Sequence, residues 1–117
     1  MALKMIWKTS DGFATPEPIE VKIHTVQAIA PQGYCGVQVH GVHPETGSLV
    51  GLRCLEMGPA EFSGFTGKTF KQANESGEMV AVEPIKIEGA ANPLQWLYMW
   101  LKLEPRGGID FSKAEDI

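Results

Sequence analysis

"GVQVHGVHPETGSLVGLRCLEM", residues 36–57, holds two runs of alternating apolar and polar residues on either side of Pro44-Glu45-Thr46-Gly47. Alternation at period two marks a strand with one buried face, and a turn-forming tetrapeptide between two such runs marks an antiparallel hairpin. With His43 opposite Ser48, the pairs that follow are Val42 with Leu49, His40 with Gly51, Val39 with Leu52, Gln38 with Arg53 and Val37 with Cys54. One face then carries Cys35, Val37, Val39, Val50, Leu52 and Cys54. The other carries Gln38, His40 and Arg53 among Val42, Leu49 and Leu55.

Upstream, Ile19, Val21 and Ile23 alternate with Glu20, Lys22 and His24, after which the apolar set moves to Val26, Ala28 and Ala30, of opposite parity. A one-residue bulge near Thr25 restores every apolar side chain to one face. Pro31-Gln32-Gly33 ends this strand. Residues 3–8 (LKMIWK) read as a short first strand closed by Ser10-Asp11-Gly12. Pro16 and Pro18 keep the intervening segment out of a helix or a central strand.

Downstream, residues 58–78 are rich in Gly, Ser, Thr and Lys and read as irregular, anchored by Phe62, Phe65 and Phe70. A strand is expected over 78–88, with Pro84 placing it at an edge. Residues 92–105 (NPLQWLYMWLKLEP) read as a helix over about 93–104 rather than a strand. Asn92 suits the N-cap, Pro93 the first position and Gln95 a capping box, while Pro105 and Gly107 supply the stop. Residues 106–117 are expected as a polar tail. The whole is expected to form a single α+β domain: a mainly antiparallel curved sheet or half-barrel with one C-terminal helix packed on it.

Composition bounds the function. The chain has 117 residues, a net charge of -4 and scattered cations, so a basic nucleic-acid face is not expected. The N-terminus lacks the apolar core of a secretory signal, and the longest apolar run is about half of the roughly 20 residues that span a bilayer, so a cytoplasmic protein without a membrane partner is expected. Two cysteines are too few for a disulfide scaffold, and in the register above Cys35 and Cys54 are diagonal neighbours with Cβ atoms about 7 Å apart.

The chemical motifs are sparse. Gly67-Lys68-Thr69 lacks the glycine five positions earlier that a phosphate-cradling loop needs; Phe62 stands there. Cys35, His40, His43 and Cys54 do not have the close-pair spacing of a structural zinc site. No metal or cofactor is expected, and no catalytic constellation is recognisable. Gln38, His40 and Arg53 form the most suggestive polar group. On this register Gly36 and Gly51 are expected to leave space for an anion or a small polar ligand, with Arg53 as charged donor and His40 as the acid or base if the site is an enzyme's.

As a helix, the aromatic run carries two opposed apolar stripes: Leu94, Leu97, Tyr98 and Leu101, and Trp96, Met99, Trp100 and Leu103. A strand would also leave two apolar surfaces. The first stripe is expected in the core. Leaving the second in water forfeits roughly 1.5–3 kcal/mol per residue, so a cover is expected: the phenylalanine-rich segment 62–70, a second subunit or an apolar ligand. These readings favour a non-enzymatic homo-oligomeric binding protein, most simply a dimer, whose aromatic segment forms the interface or a cavity wall. A small-molecule enzyme or ligand site at Gln38, His40 and Arg53 is one alternative; a component of a larger phage-like or mobile-element assembly is another.

Overall fold

The computed structural model describes residues 2–8, 12–29 and 34–117, without the side chains at 28, 29, 34 and 35. The expected turns at Ser10-Asp11 and at Pro31-Gln32-Gly33 lie outside the described residues. In chain order the elements are β1 (Leu3–Met5), β2 (Ile19–Ile29), β3 (Tyr34–Val42), β4 (Leu49–Met57), α1 (Pro59–Thr66), β5 (Lys71–Ala73), β6 (Met79–Ala81), α2 (Pro93–Leu101) and β7 (Glu115–Asp116). The main sheet runs β4-β3-β2-β1-β7 and β5-β6 form a separate ribbon, with every described strand pairing antiparallel. The fold is therefore α+β, as the alternation predicts. The sheet is open rather than closed into a barrel.

The bulge expected in β2 is present. The β2–β3 register shifts between Ile23 and Thr25, so that Ile23 faces Val39 and Val26 faces Val37. Ile23 and Val26 thus lie on the face where Val37 and Val39 are buried, Val26 at its exposed margin. On that face Leu3, Ile19, Val21, Leu55 and Met57 join Trp7, Trp100 and Phe111 in one core cluster.

α2 begins as its sequence dictates. The Asn92 side chain accepts the Gln95 N–H at 2.8 Å, and Gln95 reaches back to the Ala91 N–H, one residue before the position a capping box uses. The helix ends at Leu101, not 104; the Lys102 and Leu103 N–H groups turn tighter onto the carbonyls of Met99 and Trp100.

Three expectations are corrected. Residues 59–66 are helical, making two helices rather than one: Pro59 opens the first turn, Glu61 accepts the Gly58 N–H at 3.2 Å, and left-handed Gly67 closes α1. Weak helix formers such as Ser63, Gly64 and Thr66 hide this helix from propensity. Packing forms it, because α1 buries Phe62 and lies against α2, β3 and β4. The strand expected over 78–88 is confined to Met79–Ala81. Beyond it the chain becomes an irregular strap tied by Val82 N–H to Phe70 O and Ile85 N–H to Ala60 O, with Pro84 unable to donate to a ladder. The C-terminal segment is no free polar tail: Ile109, Phe111 and Ala114 are buried, and β7 pairs with β1.

Candidate functional site

The polar face expected on the β3–β4 hairpin is only partly assembled. His43 N–H bonds Ser48 O and Val42 faces Leu49, as expected, but the register then shifts. Gly41 faces Gly51, His40 faces Leu52, Val39 faces Arg53 and Gln38 faces Cys54. An extra residue in β4 at Val50 inverts the parity of everything after it, because a one-residue shift moves each side chain to the other face. Arg53 therefore leaves Gln38 and His40 and joins the core face, while Leu52 and Cys54 move to the outer face.

Arg53 is structural in this position. Its guanidinium lies 5.5 Å from the centre of the Trp7 ring and donates to Lys8 O at 2.9 Å and to Leu52 O at 3.0 Å. Gly51 does not open a ligand space either. With Gly41 opposite, it forms a slot filled by the Trp7 indole: a Cβ at Gly51 would lie 2.5 Å from Trp7 Nε1, and one at Gly41 would lie 2.7 Å from Ile19 Cδ1 and 3.0 Å from the indole. Trp7 is fully buried there, and its N–H finds no hydrogen-bond acceptor among the described residues.

What the outer face does assemble is a histidine pair. His24, the extra residue of the β2 bulge, stacks on His40 with ring centres 4.1 Å apart and planes within 7°. His24 Nδ1 lies 2.7 Å from Thr25 Oγ1, and His40 Nε2 lies 3.1 Å from Gln38 Oε1, so the second ring is oriented by an expected neighbour. Gln38 Nε2 points at the sulfur of Cys54, a free and exposed thiol, 4.0 Å away. Thr25, Gln27, Gly36, Gln38, Cys54 and Glu56 border a groove of about 330 Å³ beside this pair. It offers amide and hydroxyl hydrogen-bonding groups and a thiol. His24 and Thr25 were missing from the expected site; the parity change at Thr25 was the signal that they lie together across from Gln38 and His40.

Partial burial, and then the neighbouring His24 charge, hold His40 below the ordinary histidine value of about 6.5. The unfolded chain thus binds more protons at this site than the folded one. The contribution of His40 to stability is complete above pH 6.5 and falls as pH drops through that value toward the lower folded pKa. Proton NMR titration is expected to place the His40 midpoint below the ordinary histidine value, and His24→Phe, which keeps a ring but removes the charge, is expected to raise it.

The aromatic helix is covered by its own chain. Trp96, Leu97, Tyr98, Trp100 and Leu101 are all buried, whereas Leu94, expected in the core, is exposed along with Leu103, and Met99 is half-buried. Leu94 lies in the first turn, outside the helix's buried segment, and Leu103 follows its end. Tyr98 faces the sheet and its oxygen accepts the Ile23 N–H at 3.0 Å; burial pushes its hydroxyl pKa up. On the other side Phe65 meets Trp96 with ring centres 5.4 Å apart. Trp100 is clamped: its indole N–H donates to Glu61 Oε2, and the Arg106 guanidinium lies 3.9 Å from its ring centre. Arg106 in turn pairs with Glu61 at 3.2 Å and donates twice to Trp100 O, at 3.0 and 3.2 Å. Within the chain, the segment 62–70 and Arg106 cover Trp96 and Trp100 of this stripe, while Leu103 stays exposed. Trp100 is thereby fully buried, while Trp96 keeps one edge on a groove it shares with Ser63, Gly64 and Ile85.

Gly67-Lys68-Thr69 follows the C-terminus of α1, where carbonyl groups rather than N–H donors face outward, the wrong end of a helix for phosphate. Among the described residues no three His, Cys, Asp or Glu side chains are grouped to hold a metal, and no helix is long and apolar enough to cross a membrane. Comparison with known protein families, curated proteins and solved structures returns no match to this chain.

Proposed function

We propose that this chain is a non-enzymatic, homo-oligomeric interaction protein of the cytoplasm, most simply a dimer. Its self-contact is assigned to strand β4 rather than to the aromatic helix. The observation that carries this reading is the apolar run at the free edge of the sheet: Leu49 is 58% exposed, Val50 36% and Leu52 38%, on a nine-residue strand paired on one side only. Proteins that stay apart usually guard such an edge with lysine, proline or a short strand. β4 has no lysine and no proline, and its bulge at Val50 and inward-facing Arg53, which also guard edges, leave the row from Leu52 to Glu56 regular. The free thiol of Cys54 fits a reducing compartment. Light scattering at micromolar concentration is expected to give twice the chain mass, and Leu52→Asp to weaken the dimer tenfold or more; a monomer at every concentration overturns the reading.

A second reading rests on the groove beside His24 and His40, which suits a small polar ligand, with Thr25, Gln27 and Gln38 as its hydrogen-bonding groups and His40 orienting Gln38 from its margin. Ligand screening by NMR against the His40 ring signals tests it, with Arg53 expected to take no part. The third, a place in a larger assembly, draws on the β5–β6 ribbon, exposed along both strands and carrying Met79 and Val80.

A further inference from the structure

The β4 edge has a geometry that specifies how a second copy would pair with it. His43 N–H bonds Ser48 O across the hairpin, and beyond the bulge Gly51, Arg53 and Leu55 lie opposite Gly41, Val39 and Val37. In an antiparallel ladder alternate residues turn their peptide groups to the same neighbour, so Gly51, Arg53 and Leu55 face β3 and Leu52, Cys54 and Glu56 turn theirs outward. The Arg53 side chain, donating to Leu52 O, reports the same direction. Past Glu56 the outward row ends, because the Gly58 N–H is taken by Glu61.

Resting on the self-association proposed above, we infer that two copies join by antiparallel pairing of β4 with β4, about a two-fold axis through Cys54 perpendicular to the sheet. This register sets Cys54 opposite the other copy's Cys54 and Leu52 opposite the other copy's Glu56. It uses all three outward residues, keeps core face with core face, and makes one continuous sheet of the two.

Neighbouring registers that preserve the faces are poorer. Sliding by two residues one way centres the axis on Arg53, places like charges directly opposite and engages only Leu52 with Cys54. Sliding the other way centres it on Leu55 and engages only Cys54 with Glu56. The Cys54 register sets Arg53 opposite Leu55 instead. A groove of about 360 Å³, lined by Cys54, Leu55, Glu56, Pro105, Arg106 and Gly107, runs at this edge. Arg53 occupies one lone pair of Leu52 O, and a carbonyl oxygen has a second for the incoming N–H.

Single cysteines test the register in the full chain carrying Cys35→Ser: Cys54 itself, or Leu52→Cys or Glu56→Cys combined with Cys54→Ser. Across the axis the two Cys54 Cα atoms lie about 5.5 Å apart. The two positions 52, and likewise the two positions 56, are four residues out of step, about 14 Å along the strand. A short bifunctional thiol reagent is expected to link Cys54 pairs at least tenfold faster than either displaced pair, and to link Leu52→Cys chains rapidly to Glu56→Cys chains. Leu52→Pro, which removes an outward N–H and no bond to β3, is expected to give a folded monomer by circular dichroism and light scattering. A dimer whose three positions link equally, or that survives Leu52→Pro, overturns the edge pairing and leaves self-association standing. A monomer throughout overturns both.

Discussion

Trp7→Ala is expected to cost about 3–5 kcal/mol of folding stability, the range for deleting a large aromatic ring from a packed core. The ring is fully buried in the slot between Gly41 and Gly51, and no neighbour on a hydrogen-bonded β-ladder is free to collapse into the space. Gly51→Ala attacks the same contact from the opposite side. Its Cβ would meet the indole at 2.5 Å, so overpacking is expected to cost about 1–3 kcal/mol. The two changes should not add: in a Trp7→Ala background the Gly51 methyl enters vacated space, and Gly51→Ala is expected to be neutral or stabilising. Urea denaturation of the four chains measures the coupling directly. Equal costs of Gly51→Ala with and without Trp7 would refute the slot.

The second large effect is expected at the clamp on Trp100. The Arg106 side chain is 9% exposed and Glu61 24%, between the surface and buried limits for ion pairs. Removing one partner of a fully buried pair costs about 3–5 kcal/mol, so Arg106→Ala is expected to cost about 2–3 kcal/mol at this partial exposure. The loss includes both hydrogen bonds to Trp100 O and the stacked guanidinium. Arg106→Lys is expected to recover less than half, because an ammonium neither stacks on the indole nor forks onto one carbonyl while reaching Glu61. Glu61→Gln keeps one of the two acceptors, for either the Trp100 or the Gly58 N–H, and is expected to cost less than Glu61→Ala. If Arg106→Ala changed the urea midpoint no more than an exposed substitution such as Lys113→Ala, the clamp would carry no stability.

Much of the fold was legible. The parity switch at Thr25 marked the β2 bulge because Ile23 and Val26 each sit among polar neighbours, so only one arrangement puts both on one face. Asn92, Pro93 and Gln95 announced the start of α2 by chemistry local to four residues. The bulge in β4 had no such mark. Leu49-Val50-Gly51-Leu52 is apolar at both parities, so the period-two signal disappears where the extra residue enters, and Arg53 was assigned to the wrong face. Helix α1 was hidden for another reason: its stability comes from contacts with α2 and the sheet, distant in sequence, and not from the residues that compose it. Of the Trp96 stripe, both tryptophans are covered while Leu103 is not, so area alone marked the rings and not the whole stripe. Which segment covers them depended on α1 and on Arg106, in a stretch taken for a polar tail. The site was half legible: Gln38 and His40 share a face as expected, Arg53 does not, and His24 enters only through the bulge.

The glycine slot also bears on how the hairpin finds its pairing. Because Leu49-Val50-Gly51-Leu52 is apolar throughout, hydrophobic burial alone barely distinguishes the native β3–β4 alignment from one slipped by a residue. In a slipped hairpin Val50 or Leu52 would stand opposite Gly41, and the indole would have no flat seat. Trp7, some forty residues away in the chain, therefore acts as a gauge that accepts only the alignment with two glycines side by side, and a mispaired hairpin must reopen before the core can close.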